Sequence, residues 1–313
     1  MSIDPKAKDL LEMMRKMGMR PLSGMSPEEA RQMILSTMGE TPPTKPIASV
    51  SDRMIPGPAG DLPVRIYTPH GTVPFPLLVF FHGGGFVLGD LNTHDHICRN
   101  LCAGANCVVM SVEYRLAPEN KFPAATDDVL AAARWAAEFA PDIGGDPGRI
   151  VVSGDSAGGN LSAVTALRIR DEGGPSLCGQ LLIYPATDYF KPGTPSLREN
   201  SGYLITIEDM IWFLEHYLND ESEANHPYAF PMRAEDVSNL PPALVITAEY
   251  DPLRDEGELY ADRLKSSGVA VTLIRYDGMI HGFFNFIGVL HQAQEALDDA
   301  CSWLKDLFSA RIE

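Results

Sequence analysis

The chain has 313 residues, 45% of them hydrophobic, and its 42 acidic against 25 basic side chains give a formal net charge of −17. Its length and apolar content suffice for a large core, whereas its charge opposes binding to nucleic-acid phosphates and anionic membranes, so we expect neither partner. No apolar run approaches the length that spans a bilayer, and the first residues lack an uncharged core followed by a cleavage site. The sequence therefore predicts a cytoplasmic protein.

Two helices are predicted before any strand. Apolar side chains recur at near-helical spacing among charged residues, at Leu10, Leu11, Met14 and Met17. This pattern is typical of an amphipathic helix. A second helix is predicted to begin at Ser26-Pro27, because serine caps helices and proline is favoured in their first turn.

Strand-like runs then alternate with segments of helix length. Runs 49–55 and 62–67 flank a Gly- and Pro-rich turn at 57–61, which predicts an antiparallel hairpin at a sheet edge. Six further apolar runs follow, at 77–81, 107–112, 150–153, 181–184, 244–248 and 271–275. This alternation predicts a mostly parallel sheet with helices on both faces.

A glycine run, His82-Gly83-Gly84-Gly85, directly follows the run 77–81. Consecutive glycines expose backbone N–H groups, and ester cleavage needs such donors where negative charge develops on the carbonyl oxygen. Gly84 and Gly85 are therefore candidate oxyanion donors. A phosphate cradle is the alternative, but neither Gly-Lys-Ser/Thr nor the acidic partner of a dinucleotide-binding fingerprint follows.

The pentapeptide Gly154-Asp155-Ser156-Ala157-Gly158 follows the run 150–153 and opens a helix-like stretch. A serine between glycines on a sharp strand-to-helix turn is typical of a nucleophile elbow, in which the missing side chains let strand and helix approach. Ser156 is the candidate nucleophile. The N–H of Ala157, at the start of the helix, is the third candidate oxyanion donor.

Two later residues complete a candidate catalytic set. Asp251 comes just after the run 244–248, and His281 comes shortly after the run 271–275. Histidine can take the serine proton near neutral pH and return it to the leaving group, while the aspartate fixes its tautomer and stabilises its cation. Because the carboxyl ends of parallel strands share one edge of a sheet, we expect Ser156, Asp251 and His281 to meet there.

These motifs give the chain its likeness to a known family. It resembles the hormone-sensitive-lipase-like α/β-hydrolases, in their bacterial carboxylesterase branch, through 82–85, 114–119, 154–160, 251–255 and 281–283. The resemblance implies an α/β-hydrolase fold with a mixed, mostly parallel sheet of about eight strands, helices on both faces and a helical cap. It also implies that the protein hydrolyses short- to medium-chain acyl esters, which are small-molecule substrates, and that it needs no cofactor.

Two segments do not fit the sheet and are predicted to form the cap. We expect the amino-terminal part of the cap at 1–45, the first part of the catalytic core at 46–187, a cap insertion at 188–236 and the second part of the core at 237–313. Apolar residues near the glycine run, in the insertion and after the histidine are the candidate substrate pocket: Phe86, Val87, Phe213 and Phe283.

Several alternatives stay open. The same triad could serve an amidase or peptidase, and a relative of this fold could bind a ligand without turnover. A homodimer is expected from the resemblance, through a strand edge or the helix predicted at 292–308.

No metal site is expected. The closely spaced His94, His96, Cys98 and Cys102 read as the start of a helix, without the second paired cluster that a structural zinc site usually recruits. The five cysteines show no paired spacings, so free thiols in a reducing compartment are expected.

Overall fold

The computed structural model describes residues 2–37, 44–189 and 194–310. Within these ranges eight strands form one sheet. They are β1 (Ser49–Gly57), β2 (Gly60–Thr68), β3 (Phe75–Phe81), β4 (Val108–Val112), β5 (Gly145–Asp155), β6 (Gly179–Ile183), β7 (Ala243–Tyr250) and β8 (Val271–Ile280).

The sheet has the order β1-β2-β4-β3-β5-β6-β7-β8. The hairpin β1–β2 pairs antiparallel, and β2 pairs antiparallel with β4, while every other neighbouring pair is parallel. The predicted edge hairpin and the mostly parallel sheet of about eight strands are confirmed. Every run that the sequence marked as a strand coincides with one of these eight, although the runs 107–112 and 181–184 each extend one residue beyond it.

Helices cover both faces of the sheet. The longer helices are α1 (Pro5–Lys16), α2 (Pro27–Thr37), α3 (Asp95–Ala105), α4 (Ala124–Glu138), α5 (Ala157–Glu172), α6 (Pro195–Asn200), α7 (Ile207–Tyr217), α8 (Arg254–Ser266) and α9 (His291–Ser309). One face packs on α3 and α9, and the other packs on α4, α5 and α8. Among the helices of the described ranges, none combines the length and apolarity that a bilayer crossing requires.

Strand β3 shows why the central runs are almost wholly apolar. Leu78 and Phe80 contact the α3 and α9 layer, while Leu77, Val79 and Phe81 contact the layer that contains α4. All five side chains are buried. A strand covered on both faces has no solvent-exposed position, so its sequence loses the alternation of a half-exposed strand.

The two segments outside the sheet pack against each other. Asp209 of α7 accepts hydrogen bonds from the backbone N–H groups of Leu22 and Ser23, at 2.6 and 3.0 Å. The indole Nε1 of Trp212 donates to the carbonyl oxygen of Met25 at 3.0 Å. The helices expected near Leu10 and after Ser26 are present as α1 and α2. Residues 38–43 and 190–193, within the segments predicted as cap, lie outside the described residues, and the division of the chain stays a prediction.

Candidate active site

Ser156 occupies the turn between β5 and α5. Its backbone has φ 55° and ψ −116°, a left-handed conformation that non-glycine residues rarely adopt. Its N–H donates to the carbonyl oxygen of Ile183 on β6 at 2.9 Å. A side chain at Gly158 would overlap the carbonyl oxygen of Phe81 on β3. The glycine therefore lets α5 start directly against the sheet, with the serine at its tip.

Three side chains from different strand ends form one hydrogen-bonded chain. Nε2 of His281, which follows β8, lies 3.0 Å from Oγ of Ser156. Nδ1 of the same ring lies 2.8 Å from Oδ2 of Asp251, which follows β7. The other carboxylate oxygen accepts from the N–H of Leu253 at 2.7 Å, and Asp251 is fully buried. Because the carboxylate can only accept, it favours the proton on Nδ1 and leaves Nε2 to accept from the serine hydroxyl.

The glycine run forms a loop beside Ser156. Gly84 and Gly85 have φ of 121° and 59°, and the N–H of Leu88 donates to the Gly84 carbonyl oxygen at 2.8 Å. Both glycines line the same cleft as Ser156 and Ala157. Side chains are excluded here, since one at Gly85 would overlap the ring of Phe213. The loop brings bare backbone next to the serine hydroxyl.

A buried ionisable group supports this loop from behind. Oδ1 of Asp155 accepts from the N–H of Gly83 at 2.9 Å and lies 3.2 Å from Nε2 of His94. Burial alone would raise the pKa of Asp155, but His94, the Gly83 N–H and His82 together hold it below its ordinary value. Burial, with the nearby His94, lowers the pKa of His82 to about 4. The carboxylate next to the nucleophile thus fixes the first peptide of the glycine loop.

This arrangement of strand order, elbow and loop has a counterpart among known proteins. Residues 78–285 match the family described as having the alpha/beta hydrolase fold. The chain belongs to this family. The match covers the glycine loop, the elbow, Asp251 and His281, so the resemblance inferred from these motifs is confirmed.

Relatives of this α/β-hydrolase are named as esterases. It is 44% identical over 291 residues to the carboxylic ester hydrolase LipN of Mycobacterium tuberculosis, covering 91% of this chain and 77% of that protein. It is 37% identical over 310 residues to an arylesterase of Saccharolobus solfataricus, covering 98% and 100%. A solved structure, the hyperthermophilic esterase from the archaeon Pyrobaculum calidifontis, matches with a TM-score of 0.92 at 44% identity, over 99% of this chain and 100% of that one.

The cleft of this hydrolase is a cavity of about 970 Å³. Of the predicted pocket residues, Phe86 and Phe213 line it, the former stacked on Tyr217 with ring centroids 3.8 Å apart. Val87 and Phe283 do not line it, which corrects the prediction for these two. Val87 is buried in the cluster that holds Trp212. Phe283 is buried in the main core, because the short helical turn Phe283–Phe286 directs it inward from the loop that carries His281.

Several cleft residues were missed by the sequence analysis. Leu10, Met13, Met14, Met17 and Met19 line the cleft from the amino-terminal segment. The spacing of Leu10, Met14 and Met17 predicted a helix in the cap, but not that these side chains face the cleft. Glu256 also lines the cleft and stands immediately after the motif 251–255. Its position five residues after the candidate catalytic Asp251 was the available signal.

The histidine and cysteine set near the start of α3 is distributed over separate contacts. His94 faces Asp155, while Nε2 of His96 lies 3.0 Å from the carbonyl oxygen of Asn285. Cys98 and Cys102 are buried in the core below α3. Within the described ranges, no group of three or more His, Cys, Asp and Glu side chains is placed to hold a metal ion. The five cysteines, all within these ranges, are unpaired.

Proposed function

We propose that this carboxylic ester hydrolase cleaves short- to medium-chain acyl esters by two-step acyl transfer, with Ser156 as nucleophile, His281 as general base and acid, and Asp251 as the partner of the imidazole. The observation that carries the proposal is the continuous hydrogen-bonded chain from Asp251 through His281 to Ser156 at 2.8 and 3.0 Å. Distances in this range are those required for proton transfer between nucleophile and base.

In the first step, His281 takes the hydroxyl proton while Oγ of Ser156 attacks the ester carbonyl carbon. The carbonyl π electrons move onto oxygen, and the N–H groups of Gly84, Gly85 and Ala157 stabilise this oxyanion. Collapse of the tetrahedral intermediate breaks the bond to the alcohol oxygen, which receives the proton from His281. A water molecule then gives a proton to the same ring and attacks the acyl-enzyme. Collapse of this second intermediate breaks the bond to Oγ of Ser156, which takes the proton back from His281, and the acid is released. Ester and water supply all the atoms that appear in the products.

Preference for short to medium acyl chains is supported by the walls of the cleft. Phe86 and Phe213 lie beside the glycine loop, and α7 with the amino-terminal segment packs across it. We propose that the acyl chain lies against these side chains. Burial of each methylene against an apolar wall strengthens binding up to the point where the acyl chain meets protein. A longer chain does not fit, which lowers kcat/KM.

Ser156→Ala tests the nucleophile. Turnover of 4-nitrophenyl butanoate should fall by roughly three to six orders of magnitude, as for triad knockouts in other serine hydrolases. Ser153→Ala is the matched control, because Ser153 is buried in β5 three residues earlier and its hydroxyl has no hydrogen-bond partner within the described chain. Near-normal turnover by the Ser156 variant would reject the mechanism. Turnover of a matched amide separates the esterase from the amidase alternative.

A chain-length series tests the pocket. We expect kcat/KM for 4-nitrophenyl esters to rise from acetate to medium chains and then to fall, because the cleft confines the chain. Equal or better turnover of insoluble long-chain triglycerides would contradict the confined pocket while leaving the triad assignment intact. The cytoplasmic location and the homodimer stay predictions, and light scattering of the purified protein tests the dimer.

A further inference from the structure

Glu256 is an ionisable side chain in the cleft that the proposed acyl transfer does not use. It lies in the first turn of α8 and lines the same cleft as Ser156. Its Oε1 accepts from the backbone N–H groups of Thr187 and Asp188, at 2.8 and 3.3 Å. Across the part of the chain that the structure describes, no group donates to Oε2. One carboxyl oxygen is therefore committed to the protein and the other is left for a ligand.

The surroundings of Glu256 decide which form of the carboxyl is present. Burial raises its pKa to about 8, against the two N–H groups that favour the anion, and the like charges of Asp188 and Asp251 act in the same direction as burial. Two nearby cations are engaged elsewhere: Arg233 is paired with Asp188 at 2.7 Å, and Arg254 with Asp255 at 2.8 Å. The raised pKa favours the protonated carboxyl near neutral pH, and because Oε1 accepts both N–H groups, Oε2 is the oxygen that can carry the proton.

We propose that Glu256 is a substrate-binding residue whose Oε2 hydroxyl donates a hydrogen bond to a second oxygen of the substrate, an ether, keto or hydroxyl oxygen outside the scissile ester. The inference rests on the proposed esterase function. The cleft wall near Glu256 includes the apolar Ala186 and Leu253 and also Asp188, whose carboxylate is paired with Arg233. A substrate with only methylene groups at this place leaves the donor without a partner. Sites built to pair a polar group discriminate strongly against analogues that lack it.

The experiment replaces single methylenes by oxygen. The acyl series is 4-nitrophenyl hexanoate with an ether oxygen at successive chain positions, and the alcohol series is hexyl acetate with the same replacements, followed by pH-stat. The measured quantity is the ratio of kcat/KM for each ether to kcat/KM for its all-carbon parent. This ratio cancels the pH dependence of the triad, which both esters share.

For at least one oxygen position, the wild-type ratio should fall about tenfold between pH 7 and pH 9, as the donor proton is lost. Glu256→Gln keeps an acceptor for Thr187 and Asp188 and offers an N–H₂ donor in place of Oε2. Its ratio should equal the wild-type ratio at pH 7 and stay constant to pH 9. Glu256→Met, unbranched and of similar length, should lose the ether preference at both pH values.

Two results would overturn the inference: a wild-type ratio that is flat with pH at every oxygen position, or a Gln variant whose ratio falls as the wild type does. If Glu256 only holds the loop, the Met variant lowers kcat/KM for every ester equally and the ratios do not move. These failures differ from failure of the esterase mechanism, in which Ser156→Ala stays active. The Gln and pH comparisons decide the matter even where the Met variant folds poorly.

Discussion

Replacing Asp209 by asparagine should loosen the amino-terminal segment over the cleft. The Asp209 side chain is 2% exposed. Its Oδ1 accepts from Leu22 and Ser23, and its Oδ2 accepts from the N–H of Thr206 at 3.1 Å. Asparagine keeps one acceptor oxygen, removes the charge and presents an N–H₂ group to the other N–H. Since hydrogen bonds to charged groups contribute about 1.5–3 kcal/mol and neutral ones about 1 kcal/mol, we expect a loss of about 3 kcal/mol.

The bonds from Leu22 and Ser23 join the two segments, whereas the bond from Thr206 caps α7 itself, so the effect should be confined to this part of the chain. A cost of about 3 kcal/mol raises the open population of the amino-terminal segment about 10²-fold. Leu22 and Asp209 both line the cleft, so KM for a medium-chain ester should rise several-fold. The kcat for acetate should change little, because Ser156, Asp251 and His281 stand on the sheet.

Limited proteolysis near the amino terminus measures the opening, and steady-state kinetics on acetate and hexanoate esters measures its consequence. Asp220→Asn is the matched control: its carboxylate also accepts from a backbone N–H, that of Ser222, but at an exposed turn remote from the cleft. Equal cleavage rates and equal KM values in the two variants would refute the reasoning. So would a kcat for acetate that falls as far as the kcat/KM for hexanoate.

Two further predictions concern the glycine loop and acid stability. Gly85→Ala should lower kcat for all esters by about 10²–10³-fold, because the added methyl group overlaps Phe213 and makes the positive φ unfavourable. Adding Phe213→Ala to this variant should raise kcat less than tenfold. Full recovery of kcat would show that the overlap with Phe213 was the whole cause. The lowered pKa of His82, about 4, makes the neutral ring the stable form in the fold. The contribution of this ring to the free energy of unfolding is fully present above pH 6.5. It falls by about 3 kcal/mol as the pH drops to 4, because the ring takes up a proton more readily in the unfolded chain. Urea unfolding at pH 7, 5.5 and 4 measures this decline. The free energy of unfolding of His82→Gln should fall less than that of the wild type over this range, while that of the control variant at the exposed His291, His291→Gln, should fall in parallel with the wild type.

The strands were predictable because a strand that is buried on both faces is apolar at nearly every position. The run 77–81 is apolar at every position, and such runs with helix-length spacings leave few topologies. The positions of Ser156, Asp251 and His281 at one edge followed from the same reasoning, since all three come after strands. These predictions needed only the order of elements along the chain.

Directions of side chains beyond the strand ends were not predictable in the same way. Phe283 stands two residues after His281, yet the intervening turn sends it into the core, while Phe213, far away in sequence, reaches the glycine loop. Glu256 looked like an ordinary acidic residue in the first turn of a helix. Its role depends on Thr187 and Asp188, which lie nearly seventy residues earlier. Contacts of this kind come from the packing of loops, so the local pattern placed Glu256 beside the catalytic motif without indicating these partners.

The backbone at Ser156 limits which amino acids could ever serve as nucleophile in this fold. At φ 55° a residue branched at Cβ meets severe crowding with its own peptide groups. Threonine would therefore require the whole turn to be rebuilt, whereas cysteine, unbranched like serine, fits the existing one. A single substitution, Ser156→Cys, would thus replace an oxygen nucleophile by a sulfur nucleophile in the same turn. Ser156→Thr is excluded by the backbone conformation, whatever the reactivity of its hydroxyl.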